Sequence, residues 1–234
     1  MFDYGVTING KDSIQTWGLY MKSKKIEPPE VRTQLLEVPG RNGSIDLSES
    51  LTGDVTYNNR IIDIVLNGKK RKEEWPPLMS SFMNEIHGKM VNVVLRDDPQ
   101  YYYHGRAYVQ ADFALGVEVA SFTLQIDADP FKYERFSGTE DWLWDPFSFV
   151  DGVIREYNEI EVNGETELII PGTRMPVIPV FATSAAMSVS FGGRIYQLSA
   201  GQNKIYDIVL RDGENVLKFT GIGTVSVDYR GGSL

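Results

Sequence analysis

Only one stretch of this chain repeats its apolar residues at helical spacing, and that limits the fold more than any other feature. Within residues 75–87, Leu78, Met79, Phe82, Met83 and Ile86 fall on one stripe, three and four residues apart. Pro76 and Pro77 suit a first turn that needs no backbone donors, and Gly88 suits the stop. Elsewhere the apolar residues alternate, as in a strand with one buried face. From Arg60, Ile62, Ile64 and Leu66 alternate with Ile61, Asp63 and Val65, and Asn67-Gly68 is expected to end that strand. Residues 90–95, 101–111 and 116–127 read as further strands, with a turn at 96–99 and a close at Ala128-Asp129-Pro130-Phe131. The expected domain over residues 1–136 is α+β, its one helix lying on a sheet.

Composition changes after residue 136. Residues 1–136 hold 16 basic and 19 acidic residues; residues 137–234 hold 7 and 13, with only two lysines. This second part shows no helical periodicity. Strands are expected at 154–162, 167–170, 177–183, 187–191, 194–198, 204–211, 215–220 and 224–229, separated by Asn163-Gly164, Pro171-Gly172, Gly192-Gly193 and Asp212-Gly213. Short strands at that spacing predict a β-sandwich, with Asp212-Gly213 a hairpin. Ser137-Gly138-Thr139 reads as the hinge between the two domains, 1–136 and 137–234. Trp142, Trp144 and Phe147 beside it suit packing, with stacking on sugar rings as the alternative. The Tyr101-Tyr102-Tyr103 run faces both sides of its strand, so one face is open to another subunit.

Several chemistries are disfavoured. The net charge of -9 and pI near 4.8 argue against a nucleic-acid surface, which needs clustered Lys and Arg. The one basic run, Lys69-Lys70-Arg71-Lys72, meets Glu73 and Glu74 and reads as the solvated lead-in to the helix. With no cysteine there is neither a disulfide framework nor a thiolate metal site. No signal peptide or apolar run of membrane length is evident, so a soluble protein made in a cytoplasm is expected. His87 and His104 lack flanking ligands, and Asp97-Asp98 and Asp127/Asp129 sit beside proline where Asp starts turns. No Gly-x-Ser-x-Gly elbow or phosphate loop occurs. Neither an enzyme nor a cofactor or metal site is expected.

The segment 37–51, EVPGRNGSIDLSESL, points to assembly instead. Pro39 and Gly40 make residues 38–41 a type II turn, and Asn42-Gly43 offers a second reversal suited to a two-residue hairpin. Two turns so close together build a projecting arm more readily than a pocket. Val38, Pro39, Gly40, Arg41, Asn42, Gly43, Ile45, Leu47 and Leu51 are its candidate contact residues.

In order and spacing, the VPGRNGSIDLSESLTG segment, the Tyr57-Asn58-Asn59-Arg60 strand start, the single helix, the ADPF close and the C-terminal GTVSVDYRGGSL together resemble the distal tail protein family of siphophages and related prophages. The resemblance implies a structural protein of the virion tail tip, made in the host bacterial cytoplasm. It implies an N-terminal domain in a hexameric ring and a galectin-like β-sandwich outside it. The implied partners are other copies of the chain, the tail tube protein, the tail-associated lysin or fibre hub, and receptor-binding proteins. The alternative function is a carbohydrate-binding tail module, although residues 152–234 contain neither His nor Trp. A wall hydrolase is a third class, for which no catalytic spacing speaks.

Overall fold

In the computed structural model, which describes residues 4–50, 52–112, 119–137 and 157–234, the chain divides into two units. The first comprises Met1–Asp98 with Tyr103–Pro130, and the second Pro99–Tyr102 with Phe131–Leu234. In the first, β1 (Val6–Ile8), β2 (Lys11–Asp12), α1 (Ser13–Trp17), β3 (Tyr20–Ile26), β4 (Leu35–Leu36), β5 (Ile45–Asp46), β6 (Arg60–Lys69), α2 (Trp75–Ile86), β7 (Met90–Leu95), β8 (Asp98–Asp112) and β9 (Val119–Ala128) follow in chain order. Seven strands form an antiparallel sheet in the order β2, β1, β7, β8, β9, β6, β3, while among the described strands β4 and β5 pair only with each other. Where β3 begins, the Met21 N–H donates to the Tyr4 carbonyl at 2.7 Å.

The alternation read from the sequence places the core. Ile62, Ile64 and Leu66 are fully buried, and Ile61, Asp63 and Val65 on the other face are half-buried. The helix covers the buried face with its expected stripe: Met79, Phe82 and Ile86 are buried and Leu78 and Met83 half-buried. Phe82 makes an edge-on contact with Trp17 at 5.1 Å and lies 6.1 Å from Phe122. Each such side chain contributes about 1.5–3 kcal/mol by leaving water. Gly68 does not end β6, which runs on to Lys69. A Cβ on Gly68 would lie 2.8 Å from the Trp75 ring, so this glycine admits the helix rather than a turn. The basic run leads into a 3-10 turn, Lys72–Glu74, whose Glu74 carboxylate accepts from the Arg71 N–H at 2.9 Å.

In the second unit, β10 (Lys132–Glu134), β11 (Ile160–Gly172), β12 (Val180–Thr183), β13 (Met187–Phe191), β14 (Arg194–Leu198), β15 (Gly201–Lys204), β16 (Gly213–Asp228) and β17 (Gly232–Ser233) follow. Residues 160–162 and 167–170 of the expected strands lie in one strand, β11, so Asn163-Gly164 is not a break; residues 157–159 form no strand, and 154–156 lie outside the described residues. Likewise β16 takes in 215–220 and, but for Tyr229, 224–229. It pairs along its length with β11, and along its other edge with β13 and then β12. Between those two partners Gly221 and Gly223 hold φ of 157° and 147°, and added Cβ atoms would meet Met187 Cβ and Ser184 Oγ at 2.7 and 2.6 Å. Phe181 on β12 touches Phe219 opposite β13, ring centroids 5.9 Å apart, so both ends of β16 serve one core. Long strands, one of which changes partner along an edge, thus replace the expected short strands and the breaks between them. Asp212-Gly213 is a further correction: residues 205–212 form no strand, and the Asn215 side chain closes a loop there, accepting from Arg211 N–H and donating to the Arg211 carbonyl at 2.8 Å. Gly192-Gly193, by contrast, makes the β13–β14 hairpin with positive φ at both residues.

Residues Tyr101 and Tyr102 of β8 count with this second unit, pairing with Glu134 and Tyr133 of β10, whose other edge takes β17. Arg230 anchors the C-terminal strand, donating to the Glu134 and Arg135 carbonyls at 2.9 and 2.7 Å.

Candidate functional site

Between Ile26 and Arg60 the chain leaves the sheet, runs out and returns as an arm. Its two limbs are zipped by backbone bonds from the root outward: Glu27 N–H to Ile61 O, Asn58 N–H to Glu30 O, Arg32 N–H to Thr56 O, and Leu47 N–H to Gln34 O. The β4–β5 ribbon follows, with Leu35 opposite Asp46 and Leu36 opposite Ile45. Polar side chains brace it. Arg32 Nε donates to Asn58 Oδ1 at 2.7 Å, and Ser48 Oγ accepts from Gln34 N–H at 2.8 Å. The Ser48 hydroxyl and N–H both donate to Asp46, which holds that carboxyl below its ordinary 3.8.

None of the described arm residues from 27 to 59 is buried. Val31, Leu35, Leu36 and Val38 are 48, 58, 48 and 39% exposed, so the arm carries apolar surface without a core to put it in. Of the expected contact residues, Val38, Pro39, Gly40, Arg41, Asn42 and Gly43 sit exposed at the tip, and Ile45 and Leu47 are half-buried on the returning limb. Leu51 lies outside the described residues, as do Trp142, Trp144 and Phe147. The type II turn forms: Arg41 N–H donates to Val38 O at 3.1 Å and Gly40 has φ of 83°. Asn42-Gly43 does not make a two-residue hairpin. Only Gly43 has positive φ there, and one loop, residues 37–44, joins β4 to β5. Sequence reading missed Val31, Leu35 and Leu36. An adjacent Leu pair between Pro28-Pro29 and Pro39-Gly40 was the available signal, since no strand period assigns both leucines to one core.

At the root, Asn59 Nδ2 donates to Asp127 Oδ1 at 2.9 Å and buried Arg60 donates to the Pro130 carbonyl. The Arg60 guanidinium lies 5.9 Å from the Tyr103 ring centroid. Burial lowers the Arg60 pKa and raises that of Tyr103, while each offsets the other's shift. The YNNR strand start and the ADPF close therefore meet in space.

The residues considered for chemistry have structural partners. His87 Nδ1 accepts from Val109 N–H at 3.0 Å, and His104 Nδ1 lies 2.6 Å from Asn92 Oδ1. Asp97 pairs with Lys24, and the Asp129 N–H donates to the His104 carbonyl. Tyr103 is buried in the first unit, whereas Tyr102 stacks on Tyr133 at 5.5 Å. Among the described residues no group of three or more His, Cys, Asp or Glu is placed to share a metal ion, and no helix is long and apolar enough to cross a membrane.

No protein-family model matches the sequence, and no curated protein matches it. The fold does have a match among solved structures. The crystal structure of SPP1 Dit (gp 19.1), described as a paradigm of the hub adsorption apparatus in phages infecting Gram-positive bacteria, superposes with a TM-score of 0.64. The match covers 97% of this chain and 98% of that one at 12% identity. This chain has the Dit fold. Because coverage is nearly complete on both sides, the match takes in both units of the chain. At 12% identity, what the two chains share is the fold.

Proposed function

We propose that this protein is a structural component of a phage or prophage tail tip, in which six copies close a ring through the arm. Residues 1–136 form the ring and residues 137–234 stand outside it as a galectin-like module. The ring joins the tail tube to the tail-associated lysin or fibre hub and offers attachment to receptor-binding proteins. The chain acts as a scaffold, without catalysis.

The observation that carries this reading is an arm with apolar residues and no core, on a chain whose fold matches SPP1 Dit along 97% of its length. A closed ring needs heterologous contacts, one patch meeting a different patch on the neighbour, and an extended arm meets that requirement. The test is mass in solution and negative-stain imaging of the intact chain and of a variant lacking residues 38–51. Rings from the intact protein and monomers from the deletion are expected; rings that persist without the segment sink the arm's role.

A further inference from the structure

If the arm is one half of a heterologous contact, a neighbouring copy must hold the other half, and the arm's chemistry narrows where. Residues 27–59 contain six carboxylates, Glu27, Glu30, Glu37, Asp46, Glu49 and Asp54, against two guanidiniums, Arg32 and Arg41. Its outgoing limb, EVRTQLLE, brackets exposed Val31, Leu35 and Leu36 with Glu30 and Glu37, and its Arg32 is already engaged with Asn58. The receiving surface therefore needs positive charge, accessible apolar area and room for an extended limb.

One place on the first unit combines these. β3 is an end strand of the seven-stranded sheet; past Met21, whose N–H takes the Tyr4 carbonyl, no further described strand pairs with its outer edge. Its sequence, YMKSKKI, holds three lysines and no acid. Tyr20 is 48% exposed, and the Met21–Tyr4 bond brings 53% exposed Tyr4 beside it. Lys24 and Lys25 have exposed partners in Asp97 and Glu27, pairs of the kind worth little in water. Lysines on a sheet edge ordinarily discourage another strand from pairing there. They penalise a neutral or basic strand, however, and favour an acidic one, so they select a partner as well as blunt the edge.

We propose that the outgoing limb of one copy's arm, residues 30–37, lies along the β3 edge of the next copy, with Glu30 and Glu37 meeting the lysines and Leu35 and Leu36 covering Tyr4 and Tyr20. This rests on the ring reading and names its second surface. Each chain then presents an arm to one neighbour and a β3 edge to the other, as a closed ring requires. An added strand at an open edge also supplies backbone bonds that do not depend on sequence.

The absence of cysteine makes the contact directly testable. Lys22→Cys and Leu35→Cys are made in separate preparations, one with a size tag, mixed and oxidised, so that any heterodimeric disulfide is intermolecular. A heterodimer is expected from this pair and not from Leu35→Cys with Tyr206→Cys, an exposed position of the second unit. A charge exchange forms a second arm: Glu30→Lys with Glu37→Lys, or Lys22→Glu with Lys25→Glu, each weakens assembly at least tenfold, and the two sets in one chain restore it. Imaging of the unaltered protein separates the two readings. Rings without the Lys22–Leu35 cross-link, or with equal cross-linking at Tyr206, overturn the β3 assignment and leave the ring standing; absence of rings at every concentration overturns both.

Discussion

At the scale of single residues, glycines at different sites predict different losses. Gly40 has positive φ with open space around it, so Gly40→Ala introduces only backbone strain, about 1 kcal/mol confined to the arm. Gly105, in β8, is the opposite case, for an added Cβ would lie 2.3 Å from the Asp127 carbonyl oxygen. Gly105→Ala is expected to destabilise the first unit by about 3 kcal/mol, the upper end of overpacking, read as a shift in denaturant midpoint; a shift no larger than that of Gly40→Ala would contradict the crowding. Asp12 supplies a pH dependence. Its carboxylate caps α1 by accepting from Ile14 and Gln15 N–H at 2.9 and 3.0 Å and takes Arg96 Nη2 at 2.7 Å. Burial opposes these bonds, yet together they hold the carboxyl below 3.8. Since the folded value is the depressed one, the stabilisation is complete above the unfolded value and disappears as pH falls through the folded value. Thermal melts should show Asp12→Ala costing about 1 kcal/mol at neutral pH and a smaller difference from the unaltered protein below about pH 3.

Elements show where pattern was enough and where it failed. The α2 stripe and the β6 alternation are local periods, and both were readable because each side chain's face follows from its position in the repeat. The misread strand breaks involve Gly-containing pairs. Asn67-Gly68, Asn163-Gly164 and Asp212-Gly213 carry the same local signal as Gly192-Gly193, yet only the last makes a two-residue hairpin. What separates them is tertiary: a tryptophan over Gly68, the partner strand β16 continuous past Gly164, and the Asn215 side chain at the Arg211 loop. The arm belongs to this scale too. Leu35→Asp with Leu36→Asp removes no buried contact from the monomer, so its stability should change by less than about 0.5 kcal/mol, whereas assembly weakens at least tenfold by sedimentation. A large loss of monomer stability would show that the two leucines belong to an intrachain core.

For the molecule as a whole, charge sets the conditions for association. Each copy carries a formal charge of -9, which opposes clustering at neutral pH and vanishes near the pI of 4.8. Light scattering should therefore rise as the pH is lowered from 7 toward 4.8, through irregular aggregates rather than rings. Added salt screens the diffuse repulsion between copies over about 10 Å, while contacts at the arm are short. Ring formation that tolerates moderate salt at pH 7 is the expected outcome, and loss of rings at about 0.1 M salt would assign the contact to long-range charge instead.

The sequence by itself determined the secondary-structure class, the helix and its buried face, the absence of cysteine chemistry, and the turn at Pro39-Gly40, because each follows from covalent geometry or a repeat a few residues long. Tertiary structure alone decided which glycines a strand runs through rather than ends at, and that the Leu35-Leu36 pair faces solvent. It also brought Arg60 to Pro130 and left β3 with a lysine-bearing edge that, past Met21, pairs with no further described strand. Those outcomes depend on which distant segment arrives beside a residue, and no local period encodes that.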